Sequence, residues 1–186
     1  LLKPLVRLSD QSAIANSAFD ASALGRVTDD RIQVVESPVD ATFFAVSRRE
    51  ARRPLLITGS RKRNHEDAAM FAQLAVLLSE ESLEVSFNWL GTADADSLAR
   101  LSAANVAVFD TTAATERASR LSSAWVYVAF GGDLGFPVFL TEAMAAGLPC
   151  VAWDTPYHRE VIEDGKTGFC CNSYPQLLAC VTRLID

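Results

Sequence analysis

From Pro54 onward, short continuous apolar runs alternate with stretches whose apolar residues recur every three or four positions. The runs PLLITG, LEVSFNWLG, NVAVFD, WVYVAF and PCVAW each predict a strand. Several are apolar at consecutive rather than alternate positions, the pattern of strands buried on both faces of a parallel sheet. Between them, Phe71, Leu74, Ala75 and Leu78 keep helical spacing behind Asn64 as N-cap, with Glu66 and Asp67 in the favourable first turn. Helices are also predicted near Asp94 to Leu101, over Thr115 to Ser123, and from Pro137 to Ala146, the last closed by Gly147. A final helix follows Ser173 as cap, with Leu177, Leu178, Val181 and Leu184 as its buried stripe. The regular alternation predicts an α/β fold, a doubly wound parallel sheet covered on both faces.

The chain before Pro54 has a different texture. Up to about Thr28 it is rich in Ala, Ser and Asp, which suits a polar helix better than a strand. RIQVVE is a short β-like run stopped by Ser37-Pro38, and SRREARRP is a basic connector. Residues 1–30 are therefore expected to be a tail or remnant of a preceding domain and linker, and 31–186 the α/β domain. The opening LLKPLVRLSD is neither a signal peptide nor an initiator-methionine start, so an upstream part is expected.

Charge narrows the partners. The 186 residues carry a formal net charge of −6, which argues against a protein that wraps a nucleic-acid backbone. No stretch approaches the roughly 20 apolar residues of a membrane span. Cys150, Cys170, Cys171 and Cys180 form no Cys-x-x-Cys pair and read as reduced thiols in a cytoplasmic protein.

Candidate chemistry gathers at two glycine-bearing strand ends, because open α/β sheets bind ligands at the carboxyl ends of their strands. One is Gly59, followed by Ser60 and the cations Arg61, Lys62 and Arg63. The other is Gly131-Gly132 with Gly135 beyond it, opening the helix that begins near Pro137. The positive end of that helix and the basic loop could hold a phosphate between them. Glu142 is the one carboxylate in an otherwise apolar helix, and helical side chains lean toward the N-terminus, so it could reach toward the helix mouth and accept sugar hydroxyls. Replacing it by Ala is expected to spare the fold, since Ala is the better helix former. DADS at Asp94 to Ser97 reads as a helix cap rather than a metal motif. His65 and His158 are too few for a metal centre, and no cofactor is expected.

The run LGFPVFLTEAMAAGLPCVAWDTPYHREVIEDGKTGF resembles the donor-binding domain of the group-1 glycosyltransferases, retaining enzymes of the GT-B fold. DRIQVVESPVDATFF is similar to that family's linker, and RLSDQSAIANSAF to the last piece of its N-terminal domain. The resemblance implies a Rossmann-like domain, the C-terminal half of a GT-B fold. It would bind a nucleotide-diphosphate sugar, opposite an N-terminal acceptor domain absent from this chain. The whole enzyme would move a hexose with retention and without a bound metal. The fragment would be inactive alone, and any membrane association would be peripheral and run through the missing half.

The resemblance also implies roles. Glu142 matches the second Glu of the family's Glu-x7-Glu, which holds ribose hydroxyls. Gly135, Phe136, Pro137 and Val138 match the turn that holds the donor's phosphates. Phe109 to Thr111 fall where the base is contacted, so Phe109 and Thr111 join the expected site with Gly59 and the Arg61–Arg63 loop. Three positions depart from the pattern: Leu134 stands where the first Glu is usual, Pro137 replaces a Gly, and Ser60 and His65 replace an Arg and a Lys. These departures favour an alternative, a non-catalytic glycosyltransferase-like nucleotide-binding or scaffold module.

Overall fold

The structure is a computed structural model and describes residues 12–27, 31–60, 65–81, 83–111, 113–131 and 135–186. The chain divides into two compact units, Leu1–Pro38 and Val39–Asp186. In the first, β1 (Ala13–Ala15) and β2 (Ile32–Val34) pair in parallel around helix α1 (Ala18–Leu24). Ser17 caps α1 by accepting from the Asp20 amide. The polar helix expected here is thus preceded by a strand. Composition alone does not show AIA to be one, because its pairing partner lies 17 or more residues away.

The second unit begins with a short helix that the connector pattern hides, α2 (Ala41–Phe44), capped by Asp40. It continues as β3 (Leu55–Gly59), α3 (His65–Glu80), β4 (Ser86–Leu90), α4 (Ala95–Ala103), β5 (Val106–Phe109), α5 (Ala114–Ser123) and β6 (Val126–Ala129). Then come α6 (Val138–Ala145), β7 (Cys150–Trp153), α7 (Pro156–Val161), β8 (Phe169–Cys171) and α8 (Tyr174–Ile185). Helix α7 and strand β8 were not expected from the sequence. Asn64, the expected cap of α3, lies outside the described residues, whereas Asp94 caps α4 by accepting from the Ser97 amide, as read from DADS. Ser173 occupies the cap position of α8 in extended conformation but makes no side-chain cap hydrogen bond. The buried stripe of α8 is Leu177, Val181 and Ile185, with Leu178 and Leu184 half-buried.

All six strands of the main sheet are parallel, in the order β5-β4-β3-β6-β7-β8. Period-two alternation sends neighbouring residues to opposite faces. On β3, Leu56 joins α3, α4 and α8 on one face, while Leu55 and Ile57 join α2, α5 and α6 on the other. Val126 and Val128 of β6 go to the first face, and Tyr127 and Ala129 to the second. This is the doubly wound arrangement. Its strand order reverses between β3 and β6, and the crevice outside their carboxyl ends is where such a sheet binds ligands.

Candidate functional site

The strand ends build a cavity. Ser60 follows β3, Gly91 and Thr92 follow β4, and Asp110 and Thr111 follow β5. Arg117 of α5 and Phe139 of α6 complete the wall, enclosing about 320 Å³. Gly91 holds φ +119°, and a Cβ there would sit 2.0 Å from the Ser60 carbonyl oxygen, so the two strand ends meet only because residue 91 has no side chain. A second cavity of about 20 Å³, near the volume one water needs, lies at the switch point and is lined by Gly59, Asp67, Pro137 and His158 among others. Phe139 stands between the two, lining both.

Helix α6 starts at a tight turn. Pro137 was expected as its first helical residue and is instead its N-cap, so the helix begins one position later, at Val138; Pro137 has φ −81° and ψ 73°. These angles are those of an inverse γ-turn, closed by the Val138 amide donating to Phe136 O at 2.9 Å. Two of the four expected phosphate-holding residues therefore present no N–H. Pro137 has none, and that of Val138 is engaged within the turn. Gly135, at φ +106°, and Phe136 are left to present theirs, both half-buried.

Glu142 is 3% exposed and faces Arg117. Arg117 Nε donates to one carboxylate oxygen at 2.9 Å and a terminal nitrogen donates to the other at 2.7 Å. The guanidinium lies 5.6 Å from the ring centre of Phe43 on α2 and 5.5 Å from that of Phe139. Of this pair, Arg117 lines the larger cavity and Glu142 does not.

The remaining expected residues fall as follows. Thr111 lines the larger cavity, is 5% exposed, and its hydroxyl has no hydrogen-bond partner among the described residues. Gly59 closes β3 against the Phe139 ring, where a Cβ would come within 2.5 Å of a ring carbon. Phe109 lines neither cavity: Arg120 covers its ring at 3.4 Å, and its carbonyl accepts from the Gly91 amide. Arg61, Lys62 and Arg63 lie outside the described residues, as does Leu134. Ser60 is fully buried in the cavity wall, and His65 Nε2 lies 2.8 Å from Asp94 Oδ2 at the cap of α4.

Arg117, Thr92 and Phe139 were not named among the expected site residues, whereas Asp110 lies within the Phe109 to Thr111 stretch expected against the base. Arg117 carried a signal. Ala114, Arg117, Ala118 and Leu121 are spaced as one helical face, so a cation stands on the stripe that packs inward. His158 is also buried, at 5% exposure, and its Nδ1–H donates to Trp153 O at 2.6 Å. That bond sets the tautomer.

The profile of the family Glycosyl transferases group 1 matches residues 52–186. The chain belongs to this family. It is 29% identical over 149 residues to the UDP-N-acetylglucosamine–peptide N-acetylglucosaminyltransferase GtfA subunit of Streptococcus pneumoniae, covering 77% of this chain and 30% of that protein. The solved pneumococcal GtfA, in complex with UDP and GlcNAc, superposes with TM-score 0.66 at 22% identity over 94% of this chain and 37% of the other. Anabaena HepE, in complex with UDP and glucose, gives 0.73 at 16% identity over 93% and 53%. The chain thus spans between about a third and half the length of these proteins. Its sheet is the Rossmann-like one of GT-B C-terminal domains, and no helix among the described residues is long and apolar enough to cross a membrane.

Proposed function

We propose that this chain holds the sugar-nucleotide donor of a retaining glycosyltransferase that moves a hexose from a nucleotide diphosphate to an acceptor. The observation that carries the reading is the 320 Å³ cavity at the carboxyl ends of β3, β4 and β5, beside the start of α6. The nucleoside enters this cavity, and the Glu142–Arg117 pair serves its sugar. The diphosphate lies at the turn of Gly135 and Phe136, facing the positive end of α6. The Arg61–Arg63 loop balances the charge of the leaving diphosphate, an electrostatic role. Both GtfA and HepE were solved with UDP, which makes a uracil nucleotide the first to test. The acceptor half is supplied by an upstream domain, so this chain alone binds but does not turn over. The protein works in the cytoplasm.

A second reading, a nucleotide-binding scaffold without activity, is favoured by the turn at Pro137 and Val138, which withholds two N–H groups, and by Ser60 where the family has Arg. Titration calorimetry with UDP, GDP, ADP and their sugar conjugates separates the two. Transfer expects UDP to bind and its sugar conjugate to bind at least tenfold more tightly. That gain is the ~1.5–3 kcal/mol typical of hydrogen bonds to a charged group. Equal affinity for both supports the scaffold. No heat and no thermal shift with any diphosphate at millimolar concentration rejects both readings.

A further inference from the structure

We propose that Cys171 and Cys180 are a redox-modification site, closing reversibly into a disulfide in the folded protein when a small-molecule disulfide such as oxidised glutathione is present. The inference is independent of the nucleotide-binding reading. The fold sorts the four cysteines by face. Neighbouring residues of a strand point to opposite sides of the sheet, so Cys170 and Cys171 of β8 part company. Cys170 packs with Cys150 of β7 on the face of α2, α5 and α6, and Cys171 packs with Cys180 of α8 on the other. The Sγ atoms of Cys171 and Cys180 are 3.7 Å apart, with the Cys171 S–H donating to Cys180. Both are free thiols, within reach of the roughly 2.05 Å of a sulfur–sulfur bond.

The two sulfurs differ in access. Cys171 is 2% exposed, and burial keeps it a neutral thiol that a reagent in solvent does not meet. Cys180 is half-buried and is the sulfur that meets the oxidant. Cys180 attacks one sulfur of the reagent, forming a mixed disulfide and releasing one thiol. Cys171 then attacks the Cys180 sulfur, its proton goes to the departing sulfur, and the second thiol leaves. Two protein thiols are oxidised to one disulfide, and one reagent disulfide is reduced to two thiols. In a reducing compartment such a pair is a sensor rather than a permanent staple. The bond ties the edge strand β8, which pairs only with β7, to α8. Cys171 O accepts from the Asp154 amide at 2.8 Å, and Trp153 O, one residue earlier, holds His158 of the switch-point cavity. Fixing Cys171 therefore fixes the chain where β7 reaches the crevice.

The test incubates the folded 186-residue chain with oxidised glutathione at neutral pH, then blocks the remaining thiols in urea and maps the peptides by mass spectrometry. The expected result is the loss of two of the four free thiols to a Cys171–Cys180 cross-link, with full recovery on adding dithiothreitol. Cys170→Ser still forms the cross-link, whereas Cys180→Ser and Cys171→Ala do not. Circular dichroism checks each fold, and the half-buried Cys180→Ser keeps the comparison readable if the buried Cys171→Ala does not fold. In the oxidised form the Asp154 amide should exchange its hydrogen several-fold more slowly than in the reduced form. Four free thiols after incubation, a cross-link through Cys150 or Cys170, or a glutathione adduct on Cys180 that Cys171 never displaces overturns the proposal. So does a Cys171–Cys180 cross-link that forms only once the chain is unfolded in urea, because the folded geometry would then play no part. An oxidised form whose Asp154 amide exchanges as fast as in the reduced form overturns the link to the end of β7.

Discussion

Arg117 and Glu142, on α5 and α6, meet in a two-bond fork with side chains 9% and 4% exposed. The fork joins two helices on one face of the sheet, and the rings of Phe43 and Phe139 close over it. Helix propensity alone expects Glu142→Ala to be harmless, but it overlooks the partner. Removing one member of a buried ion pair strands the other in a low-dielectric site, which typically costs about 3–5 kcal/mol. Glu142→Ala and Arg117→Met should therefore each destabilise the domain by about that much in urea unfolding. The double variant Arg117→Met/Glu142→Leu should recover most of the loss. Single variants within 1 kcal/mol of wild type, an order-of-magnitude threshold for an exposed pair, would show that the pair is solvated.

The contrast shows what a sequence can and cannot disclose here. Five of the six strands are readable, and WVYVAF and PCVAW show why: they are apolar at every position, as strands covered on both faces must be. The start of α6 is readable from its glycines and proline, yet the γ-turn that engages the Val138 amide depends on backbone angles that residue identity does not set. Glu142 stood out because it interrupts an apolar helix. Arg117 sits on the inward stripe of a mostly polar one, and the pairing of the two spans 25 residues, so only the fold brings them together. Strand β8 and helix α7 escaped notice for a related reason. FCC is a short edge strand defined by its pairing with β7, and PYHREV has too few turns to show a period.

Phe43 ties the connector to the site. It is fully buried on the four-residue helix α2, between the guanidinium of Arg117 and the second face of the sheet. Phe43→Ala should cost about 3–5 kcal/mol, the usual range for a buried Phe. It should also loosen Arg117 and weaken UDP binding. Phe43→Leu keeps most of the volume and should restore stability more fully than it restores affinity, a difference that calorimetry and urea unfolding together would reveal.

Alkaline pH should unfold this domain in a defined window. Burial pushes the Cys150 thiol from 9.0 up to about 12, against a small opposing pull from Arg48, and its S–H donates to Leu148 O at 3.3 Å. Burial, then the contact with Cys180, also pushes Cys171 up to about 12. The folded state keeps these protons after the unfolded state has released them. Their stabilisation is therefore complete below pH 9 and is lost as pH rises from 9 toward 12. Urea unfolding at intervals from pH 8 upward should show this decline, and Cys150→Ala should make it shallower by the share of one proton. An equal slope in wild type and variant would show that Cys150 does not titrate differently in the two states.

Gly91 and Gly147 form a matched pair for the last test. Both have positive φ, +119° and +76°, and both follow secondary structure. A side chain at either must adopt a backbone conformation that costs an L-residue roughly 1–2 kcal/mol or more. At Gly147 nothing lies within 4 Å of the added Cβ, so strain is the whole penalty. At Gly91 the Cβ would fall 2.0 Å from the Ser60 backbone oxygen, and β3 and β4 must separate to admit it. Gly147→Ala should thus lower stability by about that strain and leave nucleotide binding intact. Gly91→Ala should cost clearly more and abolish UDP binding, because Ser60 and Gly91 together line the cavity. A folded Gly91→Ala variant that binds UDP like wild type would place the nucleoside elsewhere on the domain.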